Sequence, residues 1–253
     1  MKKQLFSMLS STTIALTMSL TMATGLKAAD ALQNPIGVVE LFTSQGCSSC
    51  PPADKALTKL IEEGKVLALS YHVDYWNYLG WVDTLATKES TDRQYAYAKT
   101  LKRRGVYTPQ VIVNGRDHLV GSNYNGIKAK VSTFESSERG LAVPLTISAT
   151  GDELSISIGE GEGKASIVAV YFDNENTVDI KRGENRGRQI TYHHSVRDIE
   201  TIGMWYGEAQ EIKLPMAVME KVKDGGAAIL LQSMASGGTP AAILGAASYK
   251  GSS

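Results

Sequence analysis

Hydrophobic and polar positions follow two different rhythms along the chain. In the first half, "GVVELFTS" (Gly37–Ser44) and "KVLALSYHV" (Lys65–Val73) are unbroken apolar and β-branched runs, the pattern of strands buried on both faces. Between them Ala53, Ala56, Leu57, Leu60 and Ile61 recur at helical spacing, and Gly64 stands where a closing glycine belongs. "DYWNYLGWVD" is aromatic and irregular and reads as a loop over a cleft. "STDRQYAYAKTLKRRG" (Ser90–Gly105) reads as a helix with a hydroxyl at its start, basic residues in its last turn and a terminal glycine. "PQVIVNG" and "RDHLVG" are short strands meeting at Asn114-Gly115, a strong hairpin signal. A helix over about Tyr124–Glu138 completes the order β-α-β-α-β-β-α. After Gly140 the pattern becomes alternating. "LAVPLTISATGDELSISIG", "ASIVAVYFDN", "DIKRG", "GRQITYHHSVRDIE", "EAQEIKLP" and "GGAAILLQ" read as short strands divided by Gly, Asn, Asp and Pro. The expected architecture is an α/β domain over residues 32–140, followed by a β-rich, sandwich-like domain over residues 141–253.

The first residues stand apart from both rhythms. Lys2 and Lys3 precede an apolar run from Leu5 to Met22, with no charge before Lys27 and small-residue cleavage sites at Ala23-Thr24-Gly25 or Ala29-Asp30-Ala31. Residues 1–31 therefore read as a removable signal peptide, and the mature protein as exported, periplasmic or secreted, with no stable membrane insertion. The chain has 26 basic and 26 acidic side chains. Removing Lys2, Lys3, Lys27 and Asp30 leaves 23 against 25, a net charge of −2. That balance gives no electrostatic reason to expect nucleic acid as a partner.

The chain has two cysteines, and both lie in "FTSQGCSSCPPAD" (Phe42–Asp54). A three-residue separation closes too small a loop to matter for stability by chain entropy. In an oxidising compartment the pair can persist as a disulfide. It falls at the end of a predicted strand and the start of a predicted helix, where free N–H groups and the helix dipole favour a thiolate. Such cysteines reach pKa values of roughly 3.5–7.5 instead of about 8.5. Cys47 is then expected as the exposed nucleophile and Cys50 as the sulfur that resolves a mixed disulfide. Pro51 and Pro52 suit the first helical turn, which needs no N–H from them.

Strand, C-x-x-C, helix, strand, helix and proline-led hairpin together resemble the thioredoxin-like fold. That resemblance implies that Pro109 in "YTPQVIVNG" is cis and lies beside Cys47, and that the backbone of Thr108 receives an extended substrate. It also places Glu40 of "VVELF" near the buried acid of thioredoxin, with one extra residue before Cys47, as a proton acceptor for Cys50. Ser48-Ser49 between the cysteines differs from the pairs of better-known redox relatives, so the direction of electron flow is not implied. Across "VVELFTSQGCSSCPPAD", "YTPQVIVNG", "GENRGRQITYHHSVRD" and "ILGAAS" the chain resembles the bacterial exported domain-of-unknown-function family numbered 1223. That family brings no assigned reaction.

Three functions remain open. One is an enzyme, a thiol–disulfide oxidoreductase acting through Cys47 and Cys50 on a protein or small-molecule thiol or disulfide, with no cofactor. The second is a copper or other metal carrier using the same pair. Two cysteines fall short of a closed zinc site, which needs four ligands, and no metal is expected there. His72 is the nearest histidine candidate, whereas His193 and His194 are adjacent and point apart if both sit in one strand. The third is a binding protein with a passive disulfide. Among Tyr71, Tyr75, Trp76, Tyr78 and Trp81, Trp76 is taken as a substrate-facing wall, with packing as the plainer role of the group. Glu184, Arg186 and Arg188 in "GENRGR" suggest a bracing Arg–carboxylate network.

Overall fold

The computed structural model describes residues 31–222 and 224–251. All but Ala31 of the expected signal segment therefore lies outside the described residues. The elements run in chain order: β1 (Ala31–Leu32), β2 (Val38–Thr43), α1 (Pro51–Glu63), β3 (Leu67–His72), α2 (Lys88–Thr100), β4 (Gln110–Val113), β5 (Asp117–Val120) and α3 (Tyr124–Glu135). Then come β6 (Leu145–Thr150), β7 (Glu153–Ile158), β8 (Ala165–Asp179), β9 (Gln189–Trp205), β10 (Gln210–Pro215), β11 (Gly225–Met234) and β12 (Pro240–Lys250).

The expected fold class, a thioredoxin-like α/β domain (β-α-β-α-β-β-α) followed by a β-rich, sandwich-like one, is overturned. The chain is mostly strand, and both parts share one mixed nine-stranded sheet in the order β1-β12-β11-β8-β9-β3-β2-β4-β5. The join is between β3 and β9, which run parallel at Ser70 and Ser195. The reason lies in β8. Its run "ASIVAVYF" is buried on both faces, so it cannot form an outer layer with one wet side. Ile167, Ala169 and Tyr171 face one core, under the three-stranded sheet β10-β7-β6. Val168, Val170 and Phe172 face another, which they share with Val38, Phe42, Leu67, Leu69 and Tyr97. A third core packs α1 and α3 on the opposite face of β2 and β4.

Local departures have local causes. α2 stops at Thr100 instead of running to Gly105, because Lys102 takes a left-handed conformation with φ 53°. The two short strands expected around "ASIVAVYFDN" and "DIKRG" are one strand ending at Asp179. The Gly/Ala-rich tail is a long strand, β12, between β1 and β11. Its small residues have a steric reason, since a Cβ on Gly245 would lie 2.4 Å from the Val143 carbonyl oxygen. The Asn114-Gly115 turn has φ of 50° and 63°, the left-handed pair that a two-residue hairpin requires.

One feature positions the site. β11 pairs with β8 only from Ser166 to Asp173, and β3 meets β9 only at Ser195. Beyond those points β8 and β9 pair only with each other, from Glu175–His193 to Asp179–Gln189. This two-stranded arm bends at His194, whose φ is 49°, and carries its tip, residues 180–188, onto the start of α1.

Candidate functional site

Cys47 and Cys50 are joined in a disulfide. Cys50 is the N-cap residue of α1, and the Ala53 and Asp54 amides donate to its carbonyl at 2.8 and 3.1 Å. Pro51 and Pro52 fill the first helical positions. Cys47 was expected to be exposed, yet it is 1% accessible and Cys50 0%, while Ser48 and Ser49 are exposed.

The cover over Cys47 comes from the arm. The Asn185 side-chain amide donates to the Gln45 and Cys47 carbonyls, at 2.9 Å each. The Ser48 amide donates to a Glu184 carboxylate oxygen at 3.0 Å, and hydrogen bonding from the Ser48 side chain first, then from its amide, holds the Glu184 carboxyl below its usual range. The tip also packs on Trp81: a Cβ at Gly183 would lie 3.1 Å from the Trp81 Cβ. Trp81 in turn donates from its indole to the Gln45 side chain at 2.8 Å. Arg186 and Arg188 are exposed, so the contact across this junction is made by Glu184 and Asn185 rather than by the arginines.

At the start of α1, four residues after Cys50, Asp54 belongs to a buried polar group. The Thr43 hydroxyl donates to Asp54 Oδ1 at 2.7 Å, while Asp54 Oδ2 is buried without a partner among the described residues. Burial pushes the Asp54 carboxyl up to about 7, against the opposing charge of His72 and the Thr43 hydrogen bond. His72 Nδ1 is 2.9 Å from Asp83 Oδ2, and both side chains are fully buried. Burial alone would raise the Asp83 carboxyl. The charge of His72, its hydrogen bond and the Gln45 and Leu85 amides outweigh that and hold it below the ordinary value. Among the described residues His72 Nε2 is buried without a partner, and the Tyr192 ring stands edge-on to His72, with centroids 4.7 Å apart.

The proposed substrate-side residues fall together. The Trp76 indole donates to the Thr108 hydroxyl at 2.7 Å, and the Thr108–Pro109 peptide is cis. A Cβ on Gly46 would meet Trp76, and one on Gly121 would meet Ala53 and Pro109, so Trp76 and Pro109 flank the cysteine loop and the first turn of α1. Glu40 is not part of this grouping. Its neighbours Val39 and Leu41 face the core under α1, whereas Val38 and Phe42 face the core with α2. Glu40 points with the latter, pairs with Arg93 at 2.7 Å and accepts a hydrogen bond from Tyr97.

Asp54, Asp83, Asn185 and Tyr192 were not singled out by sequence reasoning. Only Asp54 carried a signal, a carboxylate four residues after Cys50 on the apolar face of its helix. His118 hydrogen-bonds Tyr107, and His194 hydrogen-bonds the Ala68 carbonyl, both structural roles. Among the described residues no group of three or more His, Cys, Asp or Glu is placed to hold a metal ion.

No curated protein matches the chain. The crystal structure of protein AGR_C_4864 from Agrobacterium tumefaciens is 53% identical, with a TM-score of 0.81 over 87% of this chain and 96% of that one. HBP35 of Porphyromonas gingivalis is 17% identical, with a TM-score of 0.62 over 85% of this chain and 74% of that one, a likeness of fold alone. The profile of the family described as "Protein of unknown function (DUF1223)" matches residues 38–232. The chain belongs to that family.

Proposed function

We propose that the protein exchanges disulfides with a thiol or disulfide partner through Cys47 and Cys50, in the exported compartment its N-terminal sequence suggests. The observation that carries this reading is the disulfide itself, set across the start of α1 with Cys50 as N-cap. A helix N-terminus stabilises the thiolate that must leave when the bond is attacked. A partner thiolate attacks Cys47 Sγ and forms a mixed disulfide, while the S–S bond breaks and its electron pair goes to Cys50 Sγ. A second thiol of the partner, or an external thiol, then releases Cys47, and the pair is left reduced by two electrons. Thr108 and Trp76 form the wall along which an extended partner lies. The experiment is trapping. The Cys50→Ser chain, expressed with its own leader, should hold a partner as a mixed disulfide on Cys47 that reductant releases. No adduct in that chain, at levels where Cys47→Ser also shows none, would reject exchange.

One observation favours a second reading. Both sulfurs are buried, as in a passive bridge. A reduction potential below about −300 mV together with no trapped partner would select it.

A further inference from the structure

Attack by Cys50 needs a place for its proton, and Glu40 is on the wrong face to supply one. Asp54 is on the right one. Cys50, the N-cap with helical backbone angles, and Asp54 are four positions apart at the start of α1, the spacing that sets side chains on one helix face. The Asp54 carboxyl is buried, held by Thr43 through one oxygen, with the other oxygen unpartnered. A carboxylate that only served the helix dipole would gain by facing water, and this one does not. Across from it, His72 also presents an unpartnered ring nitrogen, with Asp83 fixing the other one.

Resting on the exchange reading above, we propose that Asp54, backed by the His72–Asp83 pair, accepts the Cys50 proton when Cys50 resolves a mixed disulfide on Cys47. The proton passes from Cys50 Sγ to the Asp54 carboxylate. The Cys50 thiolate attacks Cys47 Sγ, the bond from Cys47 to the partner sulfur breaks, and the partner leaves as a thiolate. The Cys47–Cys50 bond is thereby formed and the partner is reduced. In the opposite direction, protonated Asp54 returns the proton to Cys50 as that sulfur leaves.

Energetics agree with this placement. Burial raises the Asp54 carboxyl to about 7. Against an ordinary thiol near 8.5, transfer is then disfavoured by roughly 30-fold, whereas an ordinary aspartate near 3.9 would make it roughly 40,000-fold. The groups facing Asp54 are Thr43 from β2, His72 from β3, Asp83 from the loop after the Asn77–Leu79 turn, and Tyr192 from β9. Arg188 and His193 line the groove between the arm and α1, beside Lys55 on the helix.

The test uses the reduced full chain mixed with 5,5′-dithiobis(2-nitrobenzoate) in a stopped-flow instrument. Attack by Cys47 releases one aromatic thiolate, and resolution by Cys50 releases the second. In the wild type, the second phase should titrate with a group near pH 7. Asp54→Asn should slow that phase about 100-fold and remove the titration, with the first phase intact. Thr43→Val, nearly isosteric, removes a hydrogen bond that lowers the Asp54 value, so it should move the midpoint upward. An Asp54→Asn second phase with wild-type rate and pH profile would overturn the inference and leave exchange standing. If Asp54→Asn does not fold, an unmoved Thr43→Val midpoint overturns it equally. Absence of any release in the wild type would instead sink the exchange reading, and the inference with it.

Discussion

Replacing Asn185 by alanine tests whether the arm tip gates the disulfide. Asn185 is buried, and its amide nitrogen joins the tip to Gln45 and Cys47 through two hydrogen bonds of 2.9 Å. A neutral hydrogen bond contributes about 1 kcal/mol net, so the pair contributes about 2 kcal/mol. The substitution also deletes the buried Asn185 Oδ1, which has no donor, and relieving that is worth about 1 kcal/mol at the low end. The closed tip should therefore lose about 1–2 kcal/mol, roughly 5- to 30-fold in its opening constant. A small dithiol reaches Cys47 only in the open form if both sulfurs stay covered when closed. Under fast opening and closing, the second-order rate of reduction should then rise by the same 5- to 30-fold. Thiol labelling after timed quenching measures that rate directly, and urea unfolding checks that global stability is nearly kept. A wild-type rate of reduction in a folded Asn185→Ala chain would refute the gate.

Three further outcomes follow from buried groups. Glu40→Gln leaves the Arg93 charge without its carboxylate in a site where both side chains are nearly inaccessible, so urea unfolding should show a loss of about 3–5 kcal/mol. Its exchange kinetics should keep the wild-type pH profile, and a moved profile would mean that Glu40 does communicate with Cys50. Trp205 is fully buried in the core between the two sheets, and Trp205→Ala should cost about 3–5 kcal/mol; a loss under about 1 kcal/mol would show that core is not closed as described. Asp54 and His194 should oppose each other in pH dependence. Asp54 is raised from 3.8 to about 7, so its unfolded form gives up a proton first and stability falls as pH rises between them. Burial lowers His194 from 6.5 to about 4, so its unfolded form takes up a proton first and stability falls as pH drops through that window. Stability measured from pH 4 to 7 should rise in Asp54→Asn and fall in His194→Asn, each by about 3 kcal/mol across the window, and parallel curves for the two variants would refute the assignment. Asparagine suits position 194 because its backbone φ is 49°.

Most local structure was legible in the chain, and the assembly was not. Helix α1 and its glycine terminus follow from apolar spacing, and the β4–β5 hairpin from Asn114-Gly115. These signals are complete within a few residues. What decides the sheet is which buried strand lies beside which, and "VVELF" and "ASIVAVYF" carry the same message of burial on both faces with no address. The halves are joined through β3 and β9, which pair at Ser70 and Ser195, and neither serine marks itself as special. The cysteine pair and its helix position were readable for the same local reason. Its cover was not, because Asn185 lies 138 residues from Cys47 and only the bend at His194 brings it there.

The arm ties the two halves of the chemistry together. Its tip covers Cys47, and its strand places Tyr192 against His72 and close enough to Asp54 for their charges to interact. Burial is the largest cause of the raised Asp54 value, and Asp54 and the arm line one groove together. Lifting the tip far enough to move Tyr192 would let water reach Asp54, and its carboxyl would return toward 3.8 and release a proton. Opening would thus expose the sulfur for attack while weakening the base, and closing would restore the base for resolution by Cys50. The Asn185→Ala chain therefore carries a second readout. Its resolution phase should titrate at a lower pH than that of the wild type, in proportion to the open fraction. Faster reduction with an unmoved midpoint would show that the tip lifts alone and leaves Tyr192 in place.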